Sequence, residues 1–435
     1  MYPNLYYAFK DLFGVELPAL RFVNSFGFFV AMAFLVAAYL ITKELRRKER
    51  AAELFYQEEK VEVGKPASIG ELLLNFVLGF ILGYKIVGLF LQNSQSVTDP
   101  QEFIFSADGN PIAGILLGLF FAGMKWWEKN KQKLDKPEVR KIRIWPHDRV
   151  GDIVIIAAVF GFLGAKIFHN LENWKEFQAN PIEALLSFSG LTFYGGLICA
   201  AAAIIWFARK HEIGVRHLAD TMAPALMLAY AIGRIGCQVA GDGDWGILNS
   251  AYVSTPQGTV QPVDYPTYLQ TLSDNSAYYL RESNVKEVSQ VPNKVVKAPS
   301  WLPDWMVAFN YPNNVLSEGV PIADCEGPYC NQLPVPAFPT PFYETVACTI
   351  LFLFLWLIRK RITVPGSLFA IYLMVNGLER FLIEKIRVNN KYDILGFHPT
   401  QAEIISSLLV LAGIGLYIFL RSPMAPPIKA NRKKI

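Results

Sequence analysis

The sequence predicts an all-α polytopic membrane protein with about nine transmembrane helices, its N-terminus outside and its C-terminus inside. Three observations carry that prediction. The 435 residues are 52% hydrophobic and only 18% charged, with positive mean hydropathy, which excludes an ordinary soluble globular domain. Apolar runs long enough for roughly 30 Å of hydrocarbon recur along the chain. Basic residues gather in every second loop, the arrangement of cytoplasmic loops.

The apolar runs fall at 22–42, 69–91, 112–127, 150–168, 191–207, 218–236, 342–358, 364–384 and 397–420, the third being short. Lys43, Arg46, Arg47, Lys48 and Arg50 follow the first, as in an N-out anchor rather than a cleavable signal. Lys129, Lys131, Lys133, Lys136, Arg140, Lys141 and Arg143 follow the third. Arg209, Lys210 and Arg216 follow the fifth, Arg359, Lys360 and Arg361 the seventh, and Arg432, Lys433 and Lys434 close the chain. The loops between are poor in cations: 92–110 has none, and 169–190 has Lys175 alone. The formal net charge of +4 is therefore a topology signal with no pointer to nucleic acid.

Residues 1–246 thus form a membrane domain of six helices, and 337–420 supply the last three, before a basic cytoplasmic tail at 421–435. Between them, 247–336 is a small periplasmic head rich in Pro, Asn, Ser and Tyr. Its largest apolar anchors are Trp301 and Trp305, and runs such as 287–296 suggest strands or irregular structure docked on the membrane domain. So few aliphatic residues predict no independent core. Of the five cysteines, Cys325 and Cys330 in this head are spaced either for a local disulfide or as two free thiols. Cys199 and Cys348 read as packing residues, and without a CxxC or a His cluster no zinc site or other cofactor is expected.

Ionisable residues within apolar runs are functional candidates by default. Arg234 ends the sixth run in a glycine-rich exit, Gly233-Arg234-Ile235-Gly236-Cys237-Gln238-Val239-Ala240-Gly241-Asp242-Gly243-Asp244-Trp245-Gly246, where bare backbone N–H groups and a guanidinium could surround an anion. In the eighth run, Asn376, Arg380, Glu384 and Arg387 recur at spacings of four, four and three, which places them on one helical stripe. Glu384 can hold Arg380, and the stripe should face the bundle interior opposite Arg234. The fifth run opens Thr192-Phe193-Tyr194-Gly195-Gly196-Leu197, with glycines suited to close backbone approach. Gly83-Tyr84-Lys85-Ile86 and Gly164-Ala165-Lys166-Ile167 are weakly similar, and each lysine reads either as a snorkelling cation or as a contact to lipid phosphate.

On these motifs the chain resembles the prolipoprotein diacylglyceryl transferase family. The run Gly233 to Gly246, the Tyr194-Gly195-Gly196-Leu197 helix start, Pro339-Thr340-Pro341-Phe342-Tyr343-Glu344 and Arg380-Phe381-Leu382-Ile383-Glu384-Lys385-Ile386-Arg387 stand in the family's order. The likeness covers the first helix and most of 150–420, leaving 69–127 as an added helix pair. There are departures: Tyr194 stands where the family has His, Cys237 where it has Asn, Asn376 where it has Tyr, and Phe26 where it has Tyr.

The resemblance implies transfer of the diacylglyceryl group of phosphatidylglycerol to the lipobox cysteine of preprolipoprotein signal peptides, at the periplasmic leaflet of the bacterial inner membrane. It implies catalytic roles among Arg234, Arg380, Tyr194, Glu384, Asp242 and Asp244. Phosphatidylglycerol would be held by Arg234, Arg380, Gly195, Gly196, Gly236, Cys237, Gly246, Asn376, Lys166 and Arg387. The proton acceptor stays open among Asp242, Asp244 and Tyr194. Three rivals stand beside this reading: a lipid or solute carrier with an anion site, an inactive homologue, and an intramembrane aspartyl protease. The last is suggested by Gly241-Asp242-Gly243-Asp244 but has no partner aspartate at that membrane face.

Overall fold

The computed structural model describes residues 1–91, 103, 108–186, 192–283, 285–389, 392, 393 and 396–422. Most of the expected basic tail, much of the loop at 92–110 and the residues around Gly190 lie outside these. Each of the nine apolar runs falls on helix: α1 (Ser25–Arg50), α2 (Ile69–Ile81, continued by a π-helical turn to Leu91), α3 (Pro111–Lys131), α4 (Val150–Glu172), α5 (Phe193–Lys210), α6 (Val215–Ala240), α7 (Thr340–Ile358), α8 (Ser367–Glu384) and α9 (Gln401–Arg421). Among the described residues, six of these stretches are long and apolar enough to cross a membrane, namely those of α1, α2, α4, α6, α7 and α9. The chain forms two compact units, Met1–Ile41 with Arg216–Ile435, and Thr42–Val215.

In the Thr42–Val215 unit, α2 and α3 pack through small residues four apart. A Cβ on Gly79 would lie 2.6 Å from the Leu117 carbonyl oxygen, and one on Gly83 2.2 Å from that of Ala113. Gly114 and Gly118 receive the rings of Phe80 and Phe76 in return. Lys43 to Arg50 lie within α1 itself. Beyond it the acidic segment β1 (Gln57–Val63) pairs with the basic segment β2 (Glu138–Ile144) that follows α3, an antiparallel pair in which Glu58 faces Arg143. The acidic strand offsets the basic one, and the all-α expectation is amended by this and three other two-stranded sheets.

In the other unit, a short amphipathic helix, Leu5–Phe13, precedes α1. Asp220 of α6 accepts hydrogen bonds from the backbone N–H groups of Gly366 (2.7 Å) and Phe369 (2.9 Å), closing the first turn of α8. A helix end inside a membrane protein must satisfy its own N–H groups, and this aspartate does so.

The 247–336 insertion departs from the sequence expectation. It carries a buried core of Leu248, Tyr268, Leu272, Tyr279, Val291, Tyr311, Leu333 and Val335, joined by Ala337 just beyond it and packed against by Met1 and Trp245. Tyrosines supply the apolar area that a count of aliphatic residues misses. Two helices not foreseen, Tyr265–Asp274 and Ser276–Ser283, present Tyr268, Leu272 and Tyr279 to it. The 287–296 segment holds a short 3-10 turn and the two-residue strand Asn293–Lys294. Trp301 is 79% exposed and anchors nothing within the insertion, whereas Trp305 packs its ring on Phe342 at the start of α7. Buried asparagines replace regular ladders: Asn249 donates to the carbonyls of Val296 (2.8 Å) and Val307 (3.0 Å) and accepts from the N–H groups of Ala251 and Val296. Cys325 and Cys330 are joined in a disulfide.

Candidate active site

The glycine-rich segment after α6 is held in place by backbone. Gly241 and Gly243 have φ of 66° and 91°, the left-handed region that glycine enters without strain. Gly246 donates to the Phe338 carbonyl at 2.9 Å, and Ile247 donates to that of Ile386 at 2.9 Å. A Cβ on Gly246 would stand 2.6 Å from the Ile386 oxygen, so only glycine allows this approach. Thr340 donates its hydroxyl to the Asp244 carbonyl at 2.7 Å. The segment is thus clamped between the start of α7 and the end of α8, with Asp244 facing Arg234 of α6 and Arg387 just beyond α8.

Those arginines meet at a residue that sequence reasoning quoted only within a motif. Glu344, in the second turn of α7, has no exposed surface. Arg234 Nε lies 2.5 Å from its Oε2 and Arg387 Nη1 3.1 Å from its Oε1, while Arg380 Nη1 forms a looser ion pair at 3.8 Å. Tyr230 donates its hydroxyl to Oε2 at 2.6 Å, and its ring lies under the Arg234 guanidinium at 5.0 Å. Asp244 bridges Arg234 through Oδ2 and Arg387 through Oδ1, the latter at 2.5 Å. Glu384 pairs with Arg380 at 3.0 Å, as the four-residue spacing predicts, and accepts from Asn389 at 2.6 Å. Three guanidiniums and three carboxylates therefore share one buried network.

The three arginines are not equivalent within it. Arg234 and Arg387 are each divided between Glu344 and Asp244, whereas Arg380 Nη1 is buried without a hydrogen-bond partner among the described residues. Leaving a buried charged donor unmade is expensive, so this nitrogen is the network's open valence. Asn376 lies half-buried one turn before Arg380. Gly236 packs its Cα on α1, where an added Cβ would be 3.0 Å from Phe29 and 3.3 Å from Phe26.

Two aspartates of the exit segment are held in different states. Burial pushes the Asp244 carboxyl up, but Arg234 and Arg387 together more than offset this and hold it below its ordinary range. Burial pushes Asp242 up as well, and its net shift stays upward. Asp242 lies beside the buried Cys237 thiol, which Arg234 Nη1 contacts at 3.7 Å. The ligand atoms of Cys237, Asp242 and Asp244 fall within 4.8 Å of one another. Both Asp244 oxygens already engage guanidiniums, which disfavours a cation there.

The remaining candidates belong to the Thr42–Val215 unit. Gly195 and Gly196 sit against α4: a Cβ would fall 2.7 Å from the Gly164 oxygen for Gly195 and 2.8 Å from the Gly161 oxygen for Gly196. Their backbones serve helix packing, with Cys199 filling the next position against Gly164. Tyr194 is half-buried one residue before them, and Lys166 on α4 is 5% exposed. The structure thus brings Arg234, Arg380, Arg387, Glu384 and Asp244 together and adds Glu344 and Tyr230. The signal for Glu344 was present: a carboxylate inside an apolar helix.

Comparison with known proteins places this geometry in context. The family model described as prolipoprotein diacylglyceryl transferase matches residues 111–419, beginning within the helix pair that the sequence analysis set apart. A phosphatidylglycerol--prolipoprotein diacylglyceryl transferase of Shouchella clausii is 25% identical over 287 residues, covering 66% of this chain and 80% of the relative. That of Clostridium novyi is 25% identical over 272 residues (62% and 79%), and that of Staphylococcus haemolyticus 24% over 317 residues (72% and 83%). The matched region contains α3 through most of α9 and every residue of the arginine network, and the chain belongs to the prolipoprotein diacylglyceryl transferase family.

Proposed function

We propose that this protein transfers the diacylglyceryl group of phosphatidylglycerol to the thiol of a lipobox cysteine in preprolipoproteins, releasing glycerol phosphate. Family membership supports the activity, and the observation that carries it to particular residues is the buried Arg380 Nη1, which has a loose ion pair to Glu344 at 3.8 Å but no hydrogen bond among the described residues, beside a network of two further guanidiniums. A phosphate oxygen would complete its hydrogen bonding. Arg234 and Arg387, fixed by Asp244 and Glu344, hold the positive field in which both the departing phosphate and the attacking thiolate are stabilised.

In this mechanism the sulfur attacks the glyceryl carbon bonded to phosphate oxygen, the C–O bond breaks, and the phosphate leaves with the electron pair. A free thiol, with a pKa of about 8.5, is a minor thiolate at neutral pH and must lose its proton. Asp242 is the better acceptor of the two aspartates, because burial raises its proton affinity while Asp244 is tied as a carboxylate between two arginines.

The positive-inside distribution of basic loops supports a site at the outer leaflet of the cytoplasmic membrane, with 247–336 as a periplasmic head. The protease alternative loses support, since Asp220 is engaged as a helix cap. Purified protein incubated with phosphatidylglycerol vesicles and a lipobox peptide should add one diacylglyceryl mass to the peptide cysteine. An unmodified peptide, with the protein folded, would favour the carrier or inactive homologue.

A further inference from the structure

Glu379 stands next to Arg380 on α8 yet takes no part in the network described above. It is 8% exposed, and neither carboxylate oxygen accepts a hydrogen bond from an N–H or O–H group among the described residues. The charged and titratable groups acting on it are Tyr230 and Arg234 from α6, Glu344 and the Cys348 thiol from α7, and Arg380 and Arg387 from α8 and its exit. A thiol is a weak donor and supplies no countercharge. The three arginines already face three paired carboxylates, Asp244, Glu344 and Glu384. Charge balance is complete without Glu379. An ionised Glu379 is thus an excess anion in a poorly hydrated site, and a second anion on Arg380 would meet its repulsion at close range.

We propose that Glu379 is a positioning residue that must carry a proton for an anionic phosphate headgroup to settle on Arg380, so that lipid binding and this proton are thermodynamically coupled. The inference rests on the headgroup reading given under the proposed function. Where Glu379 is ionised in the empty site, binding draws one proton from water: an O–H bond forms at the carboxylate as the headgroup arrives. It breaks again when glycerol phosphate leaves. By reciprocity, raising the pH weakens lipid binding, and the limiting loss is tenfold in affinity per pH unit.

The test is isothermal titration of the purified full chain in detergent with short-chain phosphatidylglycerol, from about pH 6 to about pH 9, a range that brackets the titration of perturbed carboxyls. Wild-type affinity should fall as pH rises, while Glu379→Gln, a neutral isostere, holds the acid-limit affinity within about twofold. Asp242→Asn should keep the wild-type slope, which separates the two carboxyls. A Glu379→Gln profile parallel to wild type overturns the proposal. Should that variant not fold, wild type titrated at the alkaline end in two buffers of different ionisation heat must show proton uptake, and none would overturn it equally. Absence of phosphatidylglycerol binding by wild type at every pH would instead overturn the headgroup reading.

Discussion

Replacing Glu344 by Gln should damage stability and turnover together. The carboxylate takes Arg234 Nε and the Tyr230 hydroxyl on Oε2, and Arg387 Nη1 on Oε1. A carboxamide can present its oxygen to only one of those two sides. With oxygen at the Oε2 position, its NH2 points at Arg387, donor against donor; turned over, it opposes Arg234 and Tyr230. At least one charge-assisted hydrogen bond is lost, about 1.5–3 kcal/mol, and three guanidiniums face two carboxylates. Breaking a buried ion pair from one side costs about 3–5 kcal/mol. Asp244 still holds Arg234 and Arg387, so the low end applies, about 3 kcal/mol. The released guanidiniums shift, and misplacement on the order of 1 Å reduces turnover about 100-fold. Thermal unfolding in detergent reads the first effect and peptide lipidation the second. A Glu344→Gln protein with unchanged midpoint and activity within tenfold of wild type would refute the hub role.

Arg380→Lys should leave the fold intact, since Glu384 can still be paired, yet lower kcat/KM about 100- to 1,000-fold, because an ammonium cannot offer two coplanar donors. Lipidation kinetics beside circular dichroism check this. For Asp242, whose carboxyl burial pushes upward, the basic form is lost as pH falls through that raised value. Wild-type kcat/KM should therefore drop at the acid end, and Asp242→Asn should be slow at every pH with that acid limb removed, as a pH–rate profile would record. Gly246→Ala places a methyl against the Ile386 oxygen and Thr340, so the exit segment must move and Asp244 with it. Its activity should fall at least tenfold, whereas Gly233→Ala, which meets open space, should be nearly silent in the same assay.

The helices were legible because crossing hydrocarbon leaves few alternatives: a run such as 397–420 must satisfy its backbone internally. The Arg380–Glu384 pair followed from helical spacing alone. The convergence of Arg234 and Arg387 on Glu344 did not, because separations of 110 and 43 residues along the chain encode no distance. A carboxylate one turn into the apolar α7 was the available clue. The insertion was misread for a different reason. Its interior mixes scattered Leu and Val with tyrosine and buried asparagine, so patterns tuned to aliphatic periodicity registered nothing at Tyr268, Tyr279 or Asn249. The β1–β2 pair was overlooked because most of its residues are exposed and more than half are charged, so neither strand shows a buried apolar face.

The central claim is that Arg380 offers the open donor of a pre-built cationic network to a lipid phosphate. An experimental structure of the protein soaked with phosphatidylglycerol tests it most directly. Phosphate density should lie within about 3 Å of Arg380 Nη1, with Arg234 and Arg387 still fastened to Asp244 and Glu344. A headgroup bound elsewhere, with Arg380 turned wholly onto Glu384, would contradict the account.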